Sequence, residues 1–515
     1  MPRKDPLRIV MFSAEVTPFA KVGGMGDVVG ALPKALEKLG LHPAAVIPAY
    51  ASVLRQKQFD IKPCKTVSGF NVRMGNKTEH ARIFQARLNN TEVDVYLIGS
   101  HKYFDREGIY DNPDSGEGYS DNGERFLFFM KSGLELLLRL AIPVDILHCH
   151  DSHTALIPGI MRMKYNRSPF FKNVGTLFTI HNLAYQGIYP PEVLRFAGID
   201  GEHFYPMSPF EYWNSVNFMK AGILMADKVN TVSQTYAVEI QTDPEYGHGL
   251  EGVLRSRRMD LSGIVNGIDY QEWNPETDPF IPAHFSSEDL SGKEKCKSHL
   301  QRHFNLPPDA GRVPLIGIVS RLADQKGFEL IAEAVPEIVA LNMQMVILGV
   351  GQRKYHDLLQ NIALRYPEKI AVHLEFDDAL AHKIEAGCDM FLMPSRYEPC
   401  GLNQLISLRY GTIPIVRATG GLADTVVPYG KEAGTGFRFD GYSAIEMMAA
   451  LKLALSVYSE ADHWRNLMVR AMSEDWSWNK SAEKYMQIYR NIYSKRHSEA
   501  VFVTLDNSGQ GAVVS

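Results

Sequence analysis

Short apolar segments typical of β-strands alternate with amphipathic segments typical of helices along nearly the whole 515-residue chain. Such alternation predicts an α/β fold with parallel sheets and right-handed crossover helices, and its occurrence in both halves predicts two Rossmann-like domains. The predicted strands are Leu7–Phe12, Ala44–Ile47, Val93–Ile98, Ile146–Cys149, Thr176–Ile180, Leu315–Val319, Gln344–Leu348, Val372–Leu374, Met390–Met393 and Ile413–Val416. The predicted helices include Val28–Leu39, Asn122–Leu140, Phe218–Met225 and a last one over roughly Trp478–Tyr493.

The length of the chain favours two large domains, because a single hydrophobic core does not grow to this size. We expect an N-terminal domain over residues 1–263, a C-terminal domain over 264–498 and a poorly ordered tail over 499–515. Open parallel sheets bind ligands at the carboxyl ends of their strands. We therefore expect the unusual loops that follow the strands to line one cleft between the two domains.

Composition and charge exclude several classes of protein. The chain is 45% hydrophobic and 22% charged, as in ordinary globular enzymes, and its net charge of −5 argues against nucleic-acid binding. Five scattered cysteines suit a reducing compartment. Glu135 and Arg139 interrupt the apolar helix around residues 134–140, so no membrane span is expected. We expect a cytoplasmic protein, or a mature plastid one.

A glycine-rich loop, Lys21–Asp27, follows the first predicted strand and precedes a helix. The backbone N–H groups of Gly23 and Gly24 can approach an anion closely there, and Lys21 adds a cation. Asp27 adds a carboxylate suited to sugar hydroxyls. A dinucleotide site is disfavoured because the glycine spacing misses its pattern by one residue. A simple connecting turn remains the alternative.

Two cations, Arg321 and Lys326, lie in a short loop after the strand Leu315–Val319. A diphosphate leaving group gains negative charge as its bond to carbon breaks. Fixed cations stabilise that charge more in the transition state than in the ground state. A solvated basic loop with no ligand is the alternative interpretation.

Two further loops follow predicted strands of the second half. Glu398 lies between Tyr397 and Pro399, where it can accept hydrogen bonds from sugar hydroxyls or face an oxocarbenium ion. Cys400 is interpreted as a small loop residue and not as a nucleophile, since no histidine lies near it in sequence. The segment Thr419–Gly421 opens a helix and offers N–H groups to phosphate.

Histidines are concentrated in the segment His148–His153 and recur at His181. Alternate histidines on a strand share a face, which would suit a metal ion. We favour no metal, because the cluster extends past the strand and the cations elsewhere already provide positive charge. His181 is equally compatible with a buried structural histidine.

Together these segments resemble the family of bacterial glycogen synthases and plant starch synthases, which extend α-1,4-glucans from ADP-glucose. The resemblance extends from about Leu7 to about Tyr493. Its motifs are Lys21–Gly24, Asp121-Asn122 with Arg125-Phe126, His148–Asp151, Thr179–Asn182, Asn266–Asp269, Ser320–Gly327, Glu398–Leu402 and Thr419–Thr425.

The resemblance implies a GT-B fold whose C-terminal helix crosses back, retention of the α configuration, and no metal or other cofactor. It implies ADP-glucose and an α-1,4-glucan as partners. The contacts it implies on the first domain are Lys21, Gly23 and Gly24 with the diphosphate and ribose, Asp27 with acceptor or donor glucose, and His150 with glucose. On the second domain, the resemblance implies Asn266 beside the reacting sugar and Tyr397 near the base. It implies that Arg321 and Lys326 contact the phosphates and that the diphosphate is also bound by Thr419, Gly420 and Gly421. The glucose hydroxyls would be bound by Glu398 and by the backbone of Cys400, Gly401 and Leu402.

Two other functions stay open at this point. One is a retaining nucleotide-sugar transferase with a small acceptor, and the other is a glucan-binding homologue without turnover. Related retaining transferases carry a second glutamate eight positions after the first, and that position here is Ile406. This residue favours the glycogen and starch synthase branch.

Overall fold

The computed structural model describes residues 6–113, 115–308 and 313–506. Its contacts divide the chain into two compact units. The first contains Met1–Val232, Ala237–Ile264 and Trp478–Ser515, and the second contains Ser233–Tyr236 and Val265–Ser477. The last helix therefore belongs to the first unit, as a helix that crosses back would, whereas the predicted second domain extended to residue 498.

The first unit is built on a mixed sheet with the order β13-β12-β8-β7-β1-β2-β6-β5-β3, in which β4 pairs with β5. The strands from β13 to β6 in this order are parallel, and β3, β4 and β5 add antiparallel pairs at one side. The strands of this unit, which include the small antiparallel sheet β10-β11-β9, are β1 Arg8–Phe12, β2 His42–Pro48, β3 Lys62–Pro63, β4 Gly69–Met74, β5 Lys77–Arg87, β6 Asp94–Gly99, β7 Ile146–His150, β8 Gly175–Ile180, β9 Ile188–Tyr189, β10 Glu211–Tyr212, β11 Ser215–Asn217, β12 Lys228–Thr231 and β13 Leu261–Gly263.

Helices connect these strands. They are α1 Gly24–Lys38, α2 Ala51–Leu54, α3 Asn122–Leu140, α4 Ile157–Lys164, α5 Val193–Ala197, α6 Phe218–Met225, α7 Gln234–Thr242, α8 Pro244–Gly247 and α9 Glu251–Ser256. The first residues of α7 belong to the short segment Ser233–Tyr236 that is assigned to the second unit. The central strands β1, β7 and β8 are almost entirely buried, as expected for parallel strands covered by helices on both faces.

The second unit contains an all-parallel sheet with the order β16-β15-β14-β17-β18-β19. Its strands are β14 Leu315–Val319, β15 Gln344–Leu348, β16 Ile370–His373, β17 Met390–Met393, β18 Ile413–Arg417 and β19 Phe437–Phe439. Its helices are α10 Ser291–His303, α11 Phe328–Ala340, α12 Arg353–Arg365, α13 Asp378–Gly387, α14 Asn403–Arg409, α15 Gly420–Thr425, α16 Ala444–Tyr458 and α17 Ala461–Ser473. This architecture confirms the predicted pair of Rossmann-like units.

The C-terminal helix α18, Trp478–Asp506, is longer than the predicted Trp478–Tyr493. It packs on α1, β7 and β8 of the first unit, where Tyr485 and Tyr489 are fully buried. Of the predicted disordered tail over 499–515, the part up to Asp506 has a helical backbone, and residues 507–515 lie outside the described residues.

Candidate active site

Functional groups of the first unit gather where β1, β7 and β8 end. These strands are neighbours in a parallel sheet, so the residues that follow their carboxyl ends lie at one edge. The glycine loop follows β1, Asp151 follows β7 and His181 follows β8. The structure thus brings together on this edge the groups that the sequence indicated separately.

Glu15, which the sequence analysis did not single out, shapes the glycine loop. Its carboxylate Oε2 accepts the backbone N–H groups of Val22 at 2.5 Å and Gly23 at 2.8 Å, and its Oε1 accepts the hydroxyl of Tyr110 at 2.5 Å. Burial raises the pKa of Glu15. In this conformation the Gly23 N–H donates to a carboxylate, and its contact with a diphosphate stays a prediction.

Lys21 and Asp27 form an ion pair across the glycine loop. Lys21 Nζ lies 2.7 Å from Asp27 Oδ1, with both side chains partly exposed, and the Thr17 hydroxyl donates to the same oxygen at 3.3 Å. A cation and a carboxylate are thus held side by side at the start of α1, where the helix dipole adds partial positive charge.

Gly23 is a glycine that the fold itself does not require. Its φ of −145° is ordinary extended backbone, and a Cβ built on it would meet nothing within 4 Å. By contrast, a Cβ at Gly30 would lie 2.5 Å from the carbonyl oxygen of Thr17. Open space at a glycine with relaxed backbone is typical of a position where a ligand approaches closely.

His150 lies behind His181 and has no exposed surface, whereas His181 retains 9%. The two rings are joined by a hydrogen bond of 2.9 Å between His150 Nδ1 and His181 Nε2. Burial lowers the pKa of both histidines, to about 3 for His181, so both rings are neutral. His181 is the ring nearer the surface, and the contact of His150 with glucose that the resemblance implies stays a prediction.

Asp151 orders the turn that carries His181. Its Oδ1 accepts the backbone N–H of His181 at 2.7 Å, and its carboxylate also accepts that of Asn182. Burial raises the pKa of Asp151 to about 7. Asp151 has a φ of 55°, a left-handed conformation that non-glycine residues adopt mainly where surrounding contacts enforce it.

In the second unit, the loops that follow the paired strands β14 and β17 are joined to each other. Gln325 accepts the backbone N–H of Arg396 at 2.8 Å and its side chain donates to the carbonyl of Tyr397 at 3.0 Å. The Asn403 side chain donates to the carbonyl of Val319 at 3.0 Å. These bonds fix the loop of the predicted cations against the loop of the predicted glutamate.

Lys326 and Glu398 form a largely buried ion pair at this junction. Lys326 Nζ lies 2.6 Å from Glu398 Oε2, and the Ser395 hydroxyl donates to the same oxygen at 2.9 Å. Arg321 lies on the same loop with an exposed side chain, and Tyr397 is half-buried. A cation and a carboxylate are thus held in direct contact.

In the glycine loop after β18, two backbone N–H groups donate to backbone carbonyl groups of the protein. The N–H of Thr419 donates to the carbonyl of Arg417 at 2.9 Å, and that of Gly421 donates to the carbonyl of Glu398 at 3.1 Å. The expected capping of a diphosphate by Thr419, Gly420 and Gly421 stays a prediction. Gly420 adopts a φ of 44°, and a Cβ there would lie 2.0 Å from the Glu398 carbonyl oxygen, so this glycine is needed for packing.

Asn266 and Cys400 are in contact beside this loop. The Asn266 backbone and side chain hydrogen-bond the Cys400 thiol, whose pKa burial raises to about 12. A thiol with this pKa is protonated at neutral pH, which agrees with its interpretation as a loop residue and not a nucleophile. Within the described residues, Oδ1 of the buried Asn266 has no hydrogen-bond partner.

Over residues 6–113, 115–308 and 313–506, no group of three or more His, Cys, Asp or Glu is placed to hold a metal ion. In the same part of the chain, no helix has the length and apolar character needed to cross a membrane.

Two family models match the two halves of the chain. Residues 8–256 match the starch synthase catalytic domain, and residues 304–467 match group 1 of the glycosyl transferases. Together with two Rossmann-like units and polar groups at their strand ends, these matches define a GT-B glycosyltransferase.

Full-length relatives identify the family within that class. The chain is 46% identical over 503 residues to a glycogen synthase of Desulforudis audaxviator, covering 96% of this chain and 98% of the relative. It is 43% identical over 493 residues to a glycogen synthase of Fervidobacterium nodosum, covering 95% and 99%. The chain belongs to the family of bacterial glycogen synthases and plant starch synthases, whose members are retaining glucosyltransferases.

Solved structures agree with this assignment. The catalytic domain of starch synthase IV from Arabidopsis thaliana, solved with ADP and acarbose, is 34% identical, with a TM-score of 0.88 over 95% of this chain and 100% of that one. A sucrose-phosphate synthase from Thermosynechococcus elongatus, 16% identical with a TM-score of 0.59 over 95% of this chain and 100% of that one, shares the fold.

Proposed function

We propose that this chain transfers glucose from ADP-glucose to the 4-hydroxyl at the non-reducing end of an α-1,4-glucan, with retention of configuration. The observation that carries the proposal is the Lys326–Glu398 pair at the ends of β14 and β17, with Nζ and Oε2 2.6 Å apart. A donor that joins a diphosphate to a sugar carries anionic oxygens next to hydroxyl groups, and a cation held beside a carboxylate offers a partner for each. The solved relative bound to ADP and acarbose supports a nucleotide and a glucan-like sugar as ligands.

The second unit is proposed to hold the nucleotide. Lys326 and Arg321 stabilise the charge that develops on the departing diphosphate, and Tyr397 borders the base. Because this charge grows as the bond to carbon breaks, the cations lower the barrier more than they strengthen donor binding. Glu398 and the backbone from Cys400 to Leu402 are proposed to bind the glucose hydroxyls, with Asn266 beside the reacting carbon.

The first unit is proposed to supply groups for glucose and the acceptor. Asp27 accepts hydrogen bonds from sugar hydroxyls, and Lys21 stays beside it as the neutralising charge. Gly23 and Gly24 leave room at the diphosphate and ribose. His181, with His150 behind it, faces the sugar.

The proposed route is a front-face displacement. The leaving phosphate oxygen takes the proton of the acceptor hydroxyl while the sugar passes through an oxocarbenium-like state. A double displacement would need a second, well-placed carboxylate as nucleophile, and the sequence motifs indicate none. Protein cations neutralise the leaving group in this route. We place the activity in a reducing compartment, the bacterial cytoplasm or a plastid stroma, in keeping with five free cysteines that are all buried.

A matrix of donors and acceptors tests the proposal with the purified full chain. Labelled ADP-glucose and UDP-glucose are each supplied with glycogen, free glucose or fructose 6-phosphate. We expect label in glycogen from ADP-glucose, released completely by a hydrolase specific for α-1,4 linkages. Preferred transfer to glucose or fructose 6-phosphate would instead show a small-acceptor transferase. Glycogen binding without any transfer would show a catalytically silent homologue.

A further inference from the structure

His148 lies in a buried hydrogen-bond network that joins β7 to the C-terminal helix α18. Its Nδ1 lies 2.8 Å from the hydroxyl of Tyr489, and its Nε2 lies 2.6 Å from the hydroxyl of Thr179. Thr179 donates to Asn230 Oδ1 at 2.6 Å, and Asn230 Nδ2 donates to the hydroxyl of Tyr485 at 3.1 Å. All five side chains are fully buried, so the network is closed to solvent.

The proton positions in this network follow from its two ends. Asn230 Nδ2 also faces the carbonyl of Thr231 at 3.5 Å, and a carbonyl only accepts, which places the amide oxygen toward Thr179. The Thr179 hydroxyl donates to that oxygen and therefore accepts from His148 Nε2–H. His148 is neutral, because burial lowers its pKa, so its Nδ1 is bare and accepts the hydroxyl proton of Tyr489.

The His148 ring packs on His150, with ring centroids 4.0 Å apart, and His150 Nδ1 bonds His181 Nε2 at 2.9 Å. Within the described residues, His150 Nε2 is buried and has no partner. A buried N–H without a partner costs more than a bare nitrogen, so the proton of His150 resides on Nδ1. His150 then donates to His181 Nε2, and the single proton of His181 resides on Nδ1.

We propose that Tyr489 of the C-terminal helix is a positioning residue for sugar transfer, which acts through His148 and His150 to hold His181 as an Nδ1–H donor toward the substrate. The inference rests on the proposed function for its kinetic consequence. The hydroxyl of Tyr489 fixes the His148 ring, and the tilted contact between the two rings positions His150. The hydrogen bond from His150 then selects the nitrogen of His181 that carries hydrogen. A helix far along the sequence thereby sets the proton donor beside the glycine loop.

Tyr489→Phe tests the kinetic part, with Tyr493→Phe as matched control. Both changes remove one hydroxyl and keep the ring on the same helix, but Tyr493 stacks on His497 outside the network. We expect Tyr489→Phe to lower kcat about 10-fold with KM for ADP-glucose changed less than about 2-fold, because misplacing a catalytic group weakens the transition state most. The control keeps wild-type kinetics. Equal kinetics of both variants, or a loss confined to thermal stability, would overturn the proposal.

Nitrogen-15 spectra of the histidine side chains test the structural part in the unmodified chain, and a variant serves only for assigning the signals. Protonated and bare imidazole nitrogens have distinct chemical shifts, and a His181→Gln spectrum assigns the His181 signals among the 17 histidines. We expect a bare Nε2 and a protonated Nδ1 at His181 in the unmodified chain. The opposite tautomer, or a charged ring at neutral pH, would contradict the proposal. This readout does not depend on turnover, so it separates failure of the inference from failure of the proposed transfer.

Discussion

At the scale of single residues, charged side chains near the predicted site have two different roles in the structure: some form ion pairs with each other, and others hold the backbone of a loop. Lys326 contacts Glu398 directly, so the pair is built into the fold before any ligand arrives. Glu15 and Asp151 use their carboxylates on backbone N–H groups and thereby shape the turns that carry other groups. Asp151 ends the motif His148–Asp151, whereas Glu15 lies outside the motifs and only its contacts in the structure identify it.

The proposed contact of Lys326 with the leaving diphosphate predicts a large kinetic loss when this side chain is removed. Lys326→Ala should lower kcat on the order of 10²-fold or more, because one fixed charge at the developing diphosphate is lost. Lys354→Ala is the matched control, since Lys354 is an exposed lysine of the same unit that pairs with Asp324. Steady-state transfer to glycogen measures both variants, and unchanged turnover of folded Lys326→Ala would remove the assignment.

The open space at Gly23 predicts a variant that folds normally and binds its donor poorly. A methyl group at Gly23 meets no protein atom, so Gly23→Ala should keep the thermal midpoint while KM for ADP-glucose rises about 10-fold or more by steric conflict. Gly201→Ala, which also adds a methyl group in open space, should change neither quantity. A large drop in the thermal midpoint of Gly23→Ala would show that the glycine serves the fold.

The raised pKa of Asp151 predicts a pH dependence of stability. Its pKa is about 7 in the folded chain against an ordinary value of 3.8, so between pH ~4 and ~7 the folded state holds a proton that the unfolded state has released. The free energy of unfolding should therefore fall as pH rises through this window, by up to ~1.4 kcal/mol per pH unit from this group.

Asp151→Asn removes this contribution while its amide oxygen can still accept the His181 N–H. The thermal midpoint of the variant should fall less steeply between pH 4 and 7, a window that follows from the pKa of about 7. Parallel curves for the variant and the wild-type chain would mean that Asp151 is ionised in the folded state throughout.

At the scale of elements, the strands that the sequence predicted best are the buried parallel ones. β14, β15 and β17 match the predicted bounds, because a strand covered on both faces is a continuous apolar run. β4 was missed since it alternates: Phe70, Val72 and Met74 are buried while the residues between them are exposed. The positions of loops after strands were equally predictable. Which N–H groups stay available depends on partners in other loops, such as the Glu398 carbonyl for the Gly421 N–H.

The loop after β18 packs closely against the backbone of residues 398–400, so a larger side chain in this loop should destabilise the fold. Gly420→Ala should lower the thermal midpoint strongly, since its Cβ would lie 2.0 Å from the Glu398 carbonyl oxygen at a φ of 44°. Gly430 also has positive φ, 94°, but open space around its Cβ, so Gly430→Ala shows the backbone strain alone. Thermal unfolding should separate the two variants clearly. Equal midpoints would mean that the loop yields without cost.

At the scale of the whole molecule, each unit presents its functional groups at the carboxyl ends of parallel strands, which is where open α/β sheets bind ligands. The net charge is −5, so a negatively charged nucleotide sugar is not drawn in by the overall field of the protein. Local cations have to hold it. The proposed function therefore depends on where the diphosphate binds, and above all on its contact with Arg321 and Lys326.

Crystals of the full chain soaked with ADP test that claim most directly. We expect the diphosphate within hydrogen-bond distance of the Arg321 and Lys326 side chains, with a longer distance between Lys326 and Glu398 than in the ligand-free chain. Clear density for ADP at a place remote from both cations would contradict the proposed function.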